Sequence, residues 1–200
     1  KKTCNDWNKF KKNTYLLFTA LNSLNFTEIL SKAFDMDLFP DYGLNGGGLH
    51  THKNGGKLNF HLDYDIHPKL IMQRRINLII FLNPDWDISW GGELGFWSND
   101  EQNKKPNKLI KKIAPIFNRA VFFDTSQNSW HGLVSKVQTT NNSCRNSVAV
   151  YYLTSPRRDV SDRAKALYAP TKDQENDKSV LNFIKQRSDI KLASKKYIED

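Results

Sequence analysis

The strand pattern of this chain is clearest in the run Arg145-Asn146-Ser147-Val148-Ala149-Val150-Tyr151-Tyr152-Leu153. Valine and tyrosine favour extended backbone, because branched and aromatic side chains fit a pleated, half-buried surface. Alternation along a strand puts Arg145 and Ser147 on one face, with Val148 and Val150 on the other. An arginine on the inner face of an apolar strand is costly unless an anion pairs with it. The run therefore predicts a core strand whose inner face binds a carboxylate, with Ser147 as a further donor.

Other runs on either side of the chain predict the rest of a β-rich fold. Residues 73–82 form a near-continuous apolar run, which is typical of a strand buried on both faces. Residues 119–124 predict a shorter strand, and the Gly91-Gly92 turn begins another over residues 93–97. Residues 8–36 are apolar at helical spacing, which predicts one or two helices packed on the outside of a sheet. The expected fold class is mainly β with flanking helices (α+β).

A second group of polar residues has the spacing of a metal site. His61 and Asp63 lie two residues apart in a predicted strand over residues 57–63, so both side chains point to one face. His131 follows about seventy residues later, beside the predicted strand 119–124. Two imidazoles and one carboxylate are the ligand set of non-haem Fe(II), and they leave open positions on the metal. The pattern predicts such a centre, with Arg145 as the cation for a dicarboxylate co-substrate.

Two polar stretches are expected to lie outside the regular sheet structure. Residues 41–56 contain six of the ten glycines of the chain. Glycine-rich backbone favours turns and mobile hairpins rather than a stable strand, so we expect a loop that covers the substrate. Residues 98–107 are polar and rich in lysine, which predicts a solvent-exposed loop.

Length, charge and cysteine content limit the functional classes. Two hundred residues suffice for one domain with a hydrophobic core, and no repeat suggests a second domain. The net charge is +9, but the lysines are scattered and form no basic stripe with interleaved aromatic residues, so a nucleic-acid partner is not favoured. No apolar run approaches the length of a membrane span. Cys4 and Cys144, far apart in sequence, are typical of reduced thiols, and we expect a cytoplasmic protein.

Seven motifs, which together extend over roughly residues 15–155, carry a family resemblance. They are Gly47-Gly48-Leu49-His50, His61-Leu62-Asp63, residues 74–83, Gly91-Gly92-Glu93-Leu94, Phe122-Phe123-Asp124, Trp130-His131-Gly132 and Arg145-Asn146-Ser147. In this order they resemble the 2-oxoglutarate- and Fe(II)-dependent dioxygenase superfamily, in its prolyl 4-hydroxylase-like branch. The resemblance implies a distorted double-stranded β-helix, also called a jelly roll or cupin-like core, over residues 45–155. The helices of residues 8–36 would support this core, and a helical tail would cover residues 160–200 within a single domain over residues 1–200.

The resemblance also implies the role of each site residue. The iron ligands would be His61, Asp63 and His131, and Arg145 would bind the distal carboxylate of 2-oxoglutarate where many prolyl 4-hydroxylases use lysine. Three further residues would line the co-substrate pocket: Ser147, Asn77 and Leu94. Some relatives place a tyrosine on the strand that follows the first two ligands, and Asn77 is the polar candidate on that strand here. The implied cofactor is Fe(II), with 2-oxoglutarate and O2 as co-substrates and ascorbate as reductant.

The implied reaction is hydroxylation of an aliphatic carbon, with 2-oxoglutarate converted to succinate and CO2. The preferred substrate is a prolyl residue in a peptide or protein, and a free amino acid or small metabolite is the alternative. Relatives that demethylate nucleobases carry a second arginine six residues after the first, where this chain has Tyr151, which argues against that activity. A non-catalytic jelly-roll binding module is the alternative of another class. Nothing in the sequence indicates the oligomeric state.

Overall fold

Two antiparallel sheets form the body of the protein in the computed structural model, which describes residues 2–158, 160–161 and 165–188. Within this part of the chain the strands are β1 Lys2–Cys4, β2 Phe39–Pro40, β3 Gly48–His52, β4 His61–Leu62, β5 Gln73–Phe81, β6 Leu94–Asp100, β7 Lys105–Ile113, β8 Ala120–Asp124, β9 Trp130–Leu133, β10 Arg145–Thr154 and β11 Leu167–Tyr168. The α-helices are α1 Lys12–Leu21, α2 Leu24–Phe34 and α3 Lys178–Ser188. Short 3-10 turns lie at Trp7–Lys9, Ile88–Trp90 and Lys172–Gln174.

The strand order identifies the architecture. The large sheet has the order β1-β3-β10-β5-β8, with β2 also paired to β10, and the small sheet has the order β11-β4-β9-β6-β7. Strands distant in sequence are neighbours in both sheets, and every pair of strands is antiparallel. This is the double-stranded β-helix that the motifs predict, and the α+β prediction with a jelly-roll core is confirmed.

The outer face of the large sheet is covered by the N-terminal helices. Val148, Val150 and Tyr152 project from β10 into one buried cluster with Phe18 and Leu21 of α1. The hydroxyl of Tyr152 donates to the backbone oxygen of Leu21 at 2.7 Å, which ties the sheet to the end of the helix. The alternation predicted for the strand is therefore observed. The supporting role of residues 8–36 stays a prediction.

The opposite face of the large sheet looks towards the small sheet. Phe81 from β5, Leu94 from β6 and Val121 from β8 form a buried cluster, joined by the half-buried rings of Phe96 and Phe123. Because these residues come from both sheets, the cluster closes one part of the space between them. The remaining part of the interior is lined by polar side chains.

The glycine-rich segment contains a strand, which corrects the prediction of a mobile hairpin. Gly48–His52 forms β3 and pairs with both β1 and β10. A Cβ atom on Gly47 would lie 2.6 Å from the backbone oxygen of Ala149, and one on Gly48 would lie 2.2 Å from that of Cys4. The glycines are required here because neighbouring backbones approach too closely for any side chain.

Substitution of Gly48 by alanine should therefore destabilise the fold strongly. Gly48 has φ of +94° and no space for a Cβ, so we expect Gly48→Ala to lower the free energy of unfolding by about 2–4 kcal/mol. Gly55 also has a positive φ, +79°, but a Cβ atom there would meet nothing within 4 Å, and Gly55→Ala should cost only about 1 kcal/mol. Urea denaturation of both variants measures the difference. Equal losses would contradict the close approach at Gly48.

Two other predicted boundaries also differ from the structure. Of the strand predicted over residues 57–63, only His61–Leu62 is regular, because the preceding residues bond singly to separate segments, as in Leu133 N to Leu58 O at 2.9 Å. Residues 98–107 are not the solvent loop that their composition predicts, since β6 and β7 pair from Leu94–Ile113 to Asp100–Lys105. Only residues 101–104 form the exposed turn of this hairpin. A polar composition indicates that residues are exposed to solvent. An exposed hairpin is as compatible with such a composition as a loop is.

The C-terminal part is described only in pieces. Of the helical tail predicted over residues 160–200, the described residues show the helix Lys178–Ser188, preceded by the short strand Leu167–Tyr168. The remainder of that prediction from residue 189 onwards lies outside the described residues. Among the described residues, none of the helices combines the length and the apolar character that a membrane span requires. The prediction of a single domain over residues 1–200 stays a prediction.

Candidate metal centre and co-substrate pocket

The small sheet brings the three predicted metal ligands together. His61 on β4 is the direct cross-strand neighbour of His131 on β9, and Asp63 follows at the end of β4. Asp63 Oδ1 lies 3.6 Å from His61 Nε2, and Asp63 Oδ2 lies 3.7 Å from His131 Nε2. One ligand atom from each residue lies within 4.8 Å of the other two, and all three residues are buried. Across the described residues, this is the one cluster of three or more such groups close enough to hold a metal ion.

Backbone carbonyls orient both imidazoles for metal binding. His61 Nδ1 lies 2.9 Å from the backbone oxygen of Asn59, and His131 Nδ1 lies 2.9 Å from that of Ser129. A carbonyl oxygen only accepts, so each Nδ1 carries a proton and the neutral ring presents the Nε2 lone pair. Both Nε2 atoms face the Asp63 carboxylate. Such carbonyl contacts are the usual support of metal-bound histidines, so the three residues fit a divalent ion.

The carboxylate of Asp63 is held in its charged form. Burial raises the pKa of this group, but the opposing effects are larger together. Electrostatic interactions with His131, His61 and the Arg74 guanidinium, together with a hydrogen bond from Tyr151, bring the pKa of Asp63 down to about 2. An ionised carboxylate and two imidazoles form a donor set that suits Fe(II). Metals that prefer thiolate ligands suit it less well.

Two residues that sequence reasoning did not assign, Tyr151 and Arg74, act on Asp63. The hydroxyl of Tyr151 donates to Asp63 Oδ2 at 2.9 Å, and burial raises the pKa of Tyr151 well above its usual value, so the phenol keeps its proton. The Cζ atom of Arg74 lies 3.8 Å from the ring centroid of Tyr151 and 3.6 Å from that of Tyr64. The sequence held a signal for Tyr151, since alternation from Arg145 and Ser147 along the strand reaches it.

A β-bulge explains why Arg74 was missed. Simple alternation along β5 would place Arg74 with Ile76 on the helix-covered face. The register between β5 and β10 shifts between Tyr152 and Leu153, so that Ile76 pairs with Tyr152 but Arg74 pairs with Leu153. An extra residue in one strand reverses the faces beyond it, and Arg74 turns inwards to contact Tyr64 and Tyr151.

The guanidinium of Arg145 is a buried cation with no carboxylate partner among the described residues. Its side chain is 3% exposed, its Nε donates to the backbone oxygen of Gly92 at 2.6 Å, and its Cζ lies 5.0 Å from the ring centroid of Phe81. Burial alone lowers the pKa of Arg145 to about 10, and no acidic group in the described part of the chain offsets that effect. Because a buried guanidinium without an anion is costly, this arrangement fits an added carboxylate.

The other three predicted pocket residues lie in this interior. Ser147 is buried on the same face of β10 as Arg145, and Leu94 packs in the cluster that contains Phe81, beneath the Arg145 guanidinium. Asn77 is 2% exposed, and its Oδ1 has no hydrogen-bond partner among the described residues. Its cross-strand neighbours are Tyr151 and Phe123, whose side chains contact Asp63 and His131 respectively.

The fold and the site together define a class of protein. A double-stranded β-helix holds two histidines and an aspartate between its sheets, with a buried arginine on the strand opposite them. Two histidines and one carboxylate with open positions characterise non-haem Fe(II) oxygenases, and the buried arginine fits a carboxylate co-substrate. Residues 47–154 match the model of the 2OG-Fe(II) oxygenase superfamily, which is more than half of the chain. The chain belongs to this superfamily, whose members use Fe(II), 2-oxoglutarate and O2.

Individual relatives are similar over part of their length. The prolyl 3-hydroxylase OGFOD1 of Mus musculus is 31% identical over 116 residues, which is 56% of this chain and 19% of that protein. The Xenopus laevis protein of the same name is 35% identical over 86 residues, 43% of this chain and 16% of that protein. The chain thus spans less than a fifth of the length of these relatives. A crystal structure of a Pseudomonas putida prolyl-4-hydroxylase shares the fold, with TM-score 0.50, 13% identity, and coverage of 73% of this chain and 69% of that one.

Proposed function

We propose that this protein is an Fe(II)- and 2-oxoglutarate-dependent dioxygenase whose iron ligands are His61, Asp63 and His131. The observation that carries the proposal is the convergence of these three groups, with each Nδ1 engaged by a backbone carbonyl. The neutral imidazoles present Nε2, and the ionised Asp63 supplies the negative charge that a divalent ion needs. When bound, Fe(II) would activate O2, so that one oxygen atom goes to 2-oxoglutarate as it is converted to succinate and CO2 and the other goes to the substrate.

The proposal assigns 2-oxoglutarate to the pocket around Arg145. The guanidinium would form two parallel hydrogen bonds with the distal carboxylate, and Ser147 would add a hydroxyl donor. Leu94 and Phe81 would exclude water from that ion pair, which strengthens it because the local dielectric constant is low. Asn77 would bind the co-substrate nearer the metal, where its Oδ1 lacks a partner among the described residues. Ascorbate, as the reductant that keeps the iron as Fe(II), is part of the same proposal.

The proposed substrate is a prolyl residue in a peptide or protein. The support comes from the relatives, which are named prolyl hydroxylases, two by sequence and one by fold. Their names include both 3-hydroxylases and 4-hydroxylases, so the position of hydroxylation on the ring is left to the experiment. A cytoplasmic location is proposed as well, on the ground that Cys4 and Cys144 are both free thiols.

The decisive experiment measures succinate formation under air. The protein is supplied with Fe(II), ascorbate and 2-oxoglutarate, with or without a panel of proline-containing peptides. We expect at least one peptide to stimulate succinate formation and to gain the mass of one oxygen atom. Amino-acid analysis after acid hydrolysis of that peptide then distinguishes 3- from 4-hydroxyproline. The matched control is the same peptide with alanine in place of proline, which should gain no oxygen.

Two other outcomes would contradict different parts of the proposal. Succinate formation that no peptide stimulates would support the oxygenase, contradict the prolyl substrate, and direct the search to free amino acids or other small metabolites. If the protein binds the metal but shows no turnover, the proposed enzymatic activity is contradicted. That outcome would favour a non-catalytic binding module.

A further inference from the structure

The phenol of Tyr151 donates a hydrogen bond to the Asp63 carboxylate. Its hydroxyl lies 2.9 Å from Asp63 Oδ2, across 88 residues of sequence, and both side chains are buried. Backbone carbonyls hold the two histidines of the cluster through their Nδ1 atoms. Asp63 differs from them because its carboxylate accepts a hydrogen bond from a side chain on the opposite sheet.

The ring of Tyr151 is itself fixed in place. The guanidinium of Arg74 lies between the rings of Tyr151 and Tyr64, with its Cζ 3.8 and 3.6 Å from the two centroids. Arg74 also donates to the hydroxyl of Tyr64 and to the backbone oxygen of Asn45. A planar cation stacked between two rings resists their rotation, because both cation–π contacts would be lost together.

We infer that Tyr151 is a positioning residue for the metal centre, which sets the orientation of the Asp63 carboxylate before the ion binds. This inference rests on the proposed function, since it requires that Asp63 is a metal ligand. With one lone pair of Oδ2 engaged by Tyr151, the plane of the carboxylate cannot turn freely, and the ion meets a ligand that is already oriented. Loss of such a supporting partner typically weakens metal affinity about 10–100-fold.

The strand provides a matched control for this role. Tyr151 and Tyr152 are adjacent, buried and engaged through their hydroxyls, but Tyr152 points to the helix-covered face and donates to the backbone oxygen of Leu21. Tyr151→Phe and Tyr152→Phe each delete one buried hydroxyl and keep the ring. Both variants should therefore lose similar thermal stability, of the size of one buried hydrogen bond.

The test is a titration of the metal-free protein with Co(II). The visible absorption of the bound ion measures how much Co(II) the protein has bound. We expect Tyr151→Phe to bind Co(II) about 10-fold more weakly than the unaltered protein, and Tyr152→Phe to stay within about twofold. Equal affinity in Tyr151→Phe and the unaltered protein would overturn the inference, as would an equal loss in both variants. An unfolded Tyr151→Phe protein would overturn it too, because positioning predicts a folded variant.

The same titration separates this inference from the proposed function. If the unaltered protein binds no Co(II), the metal centre itself is contradicted, and the role of Tyr151 falls with it. If the unaltered protein binds Co(II) and Tyr151→Phe binds it equally well, the metal centre stands and only the positioning role is lost.

Discussion

Asp63→Ala is expected to abolish metal binding and turnover while the protein stays folded. The carboxylate is the one anionic group in the cluster, and without it two neutral imidazoles would have to hold a divalent ion alone. We expect the affinity for Co(II) or Fe(II) to fall by more than about 100-fold, beyond the usual effect of losing a supporting residue. Metal titration and succinate formation measure the two effects. Addition of metal should also no longer raise the melting temperature, since a ligand stabilises only the state that binds it.

The matched control for this variant is Asp65, a second buried aspartate two residues further along the chain. Its Oδ2 accepts from the backbone nitrogen of Ser161 at 3.0 Å, and it is not part of the metal cluster. Asp65→Ala should lose stability and retain metal affinity per folded molecule. If Asp63→Ala retains turnover, or if Asp65→Ala loses the metal equally, the assignment of the ligands is wrong.

Arg145→Met is expected to separate co-substrate binding from folding. A charge-assisted hydrogen-bonded pair is worth roughly 1.5–3 kcal/mol, so the apparent dissociation constant for 2-oxoglutarate should rise about 10–100-fold. In the absence of 2-oxoglutarate the same variant should be more stable by about 1 kcal/mol, because methionine fills a similar volume without a buried unpaired charge. Isothermal titration of the metal-loaded protein and urea denaturation of the metal-free protein measure the two effects.

The control for Arg145 is Arg75, which lies nearer the surface. Arg75 Nη2 lies 2.9 Å from Asp124 Oδ2, and this ion pair is partly exposed. Arg75→Met should leave the affinity for 2-oxoglutarate within about twofold and change stability by less than about 1 kcal/mol. An unchanged affinity in Arg145→Met would assign the distal carboxylate to another residue. If Arg145→Met is less stable than the unaltered protein, the hydrogen bond from Arg145 to the Gly92 carbonyl stabilises the fold by more than the buried charge destabilises it.

The co-substrate side of the site was predictable because strand alternation is a local property. A period of two puts Arg145 and Ser147 on one face of β10 whatever the remainder of the chain does, and the structure buries both of them there. The same reasoning covers the N-terminal helices, whose apolar spacing predicts a face that must be covered. Extending the alternation from Ser147 would also have put Tyr151 on the inner face of β10.

The errors arose where a local pattern has more than one tertiary solution. Glycine at residues 47 and 48 indicates permissive backbone, and only the approach of Cys4 and Ala149 shows that this freedom serves close strand packing. Arg74 was missed because a bulge reverses the faces of a strand, and no residue type marks that bulge in this sequence. The polar composition of residues 98–107 is equally compatible with a loop and with an exposed hairpin.

The sequence by itself determined the residue types of the metal set, their order along the chain and the inward face of the arginine strand. It could do so because spacing within one strand fixes which side chains share a face. Only the tertiary structure decided that His131 stands directly across from His61, and that Tyr151, eighty-eight residues from Asp63, donates to its carboxylate. Those contacts depend on strand register and sheet packing, which arise from many distant residues acting together rather than from any local pattern.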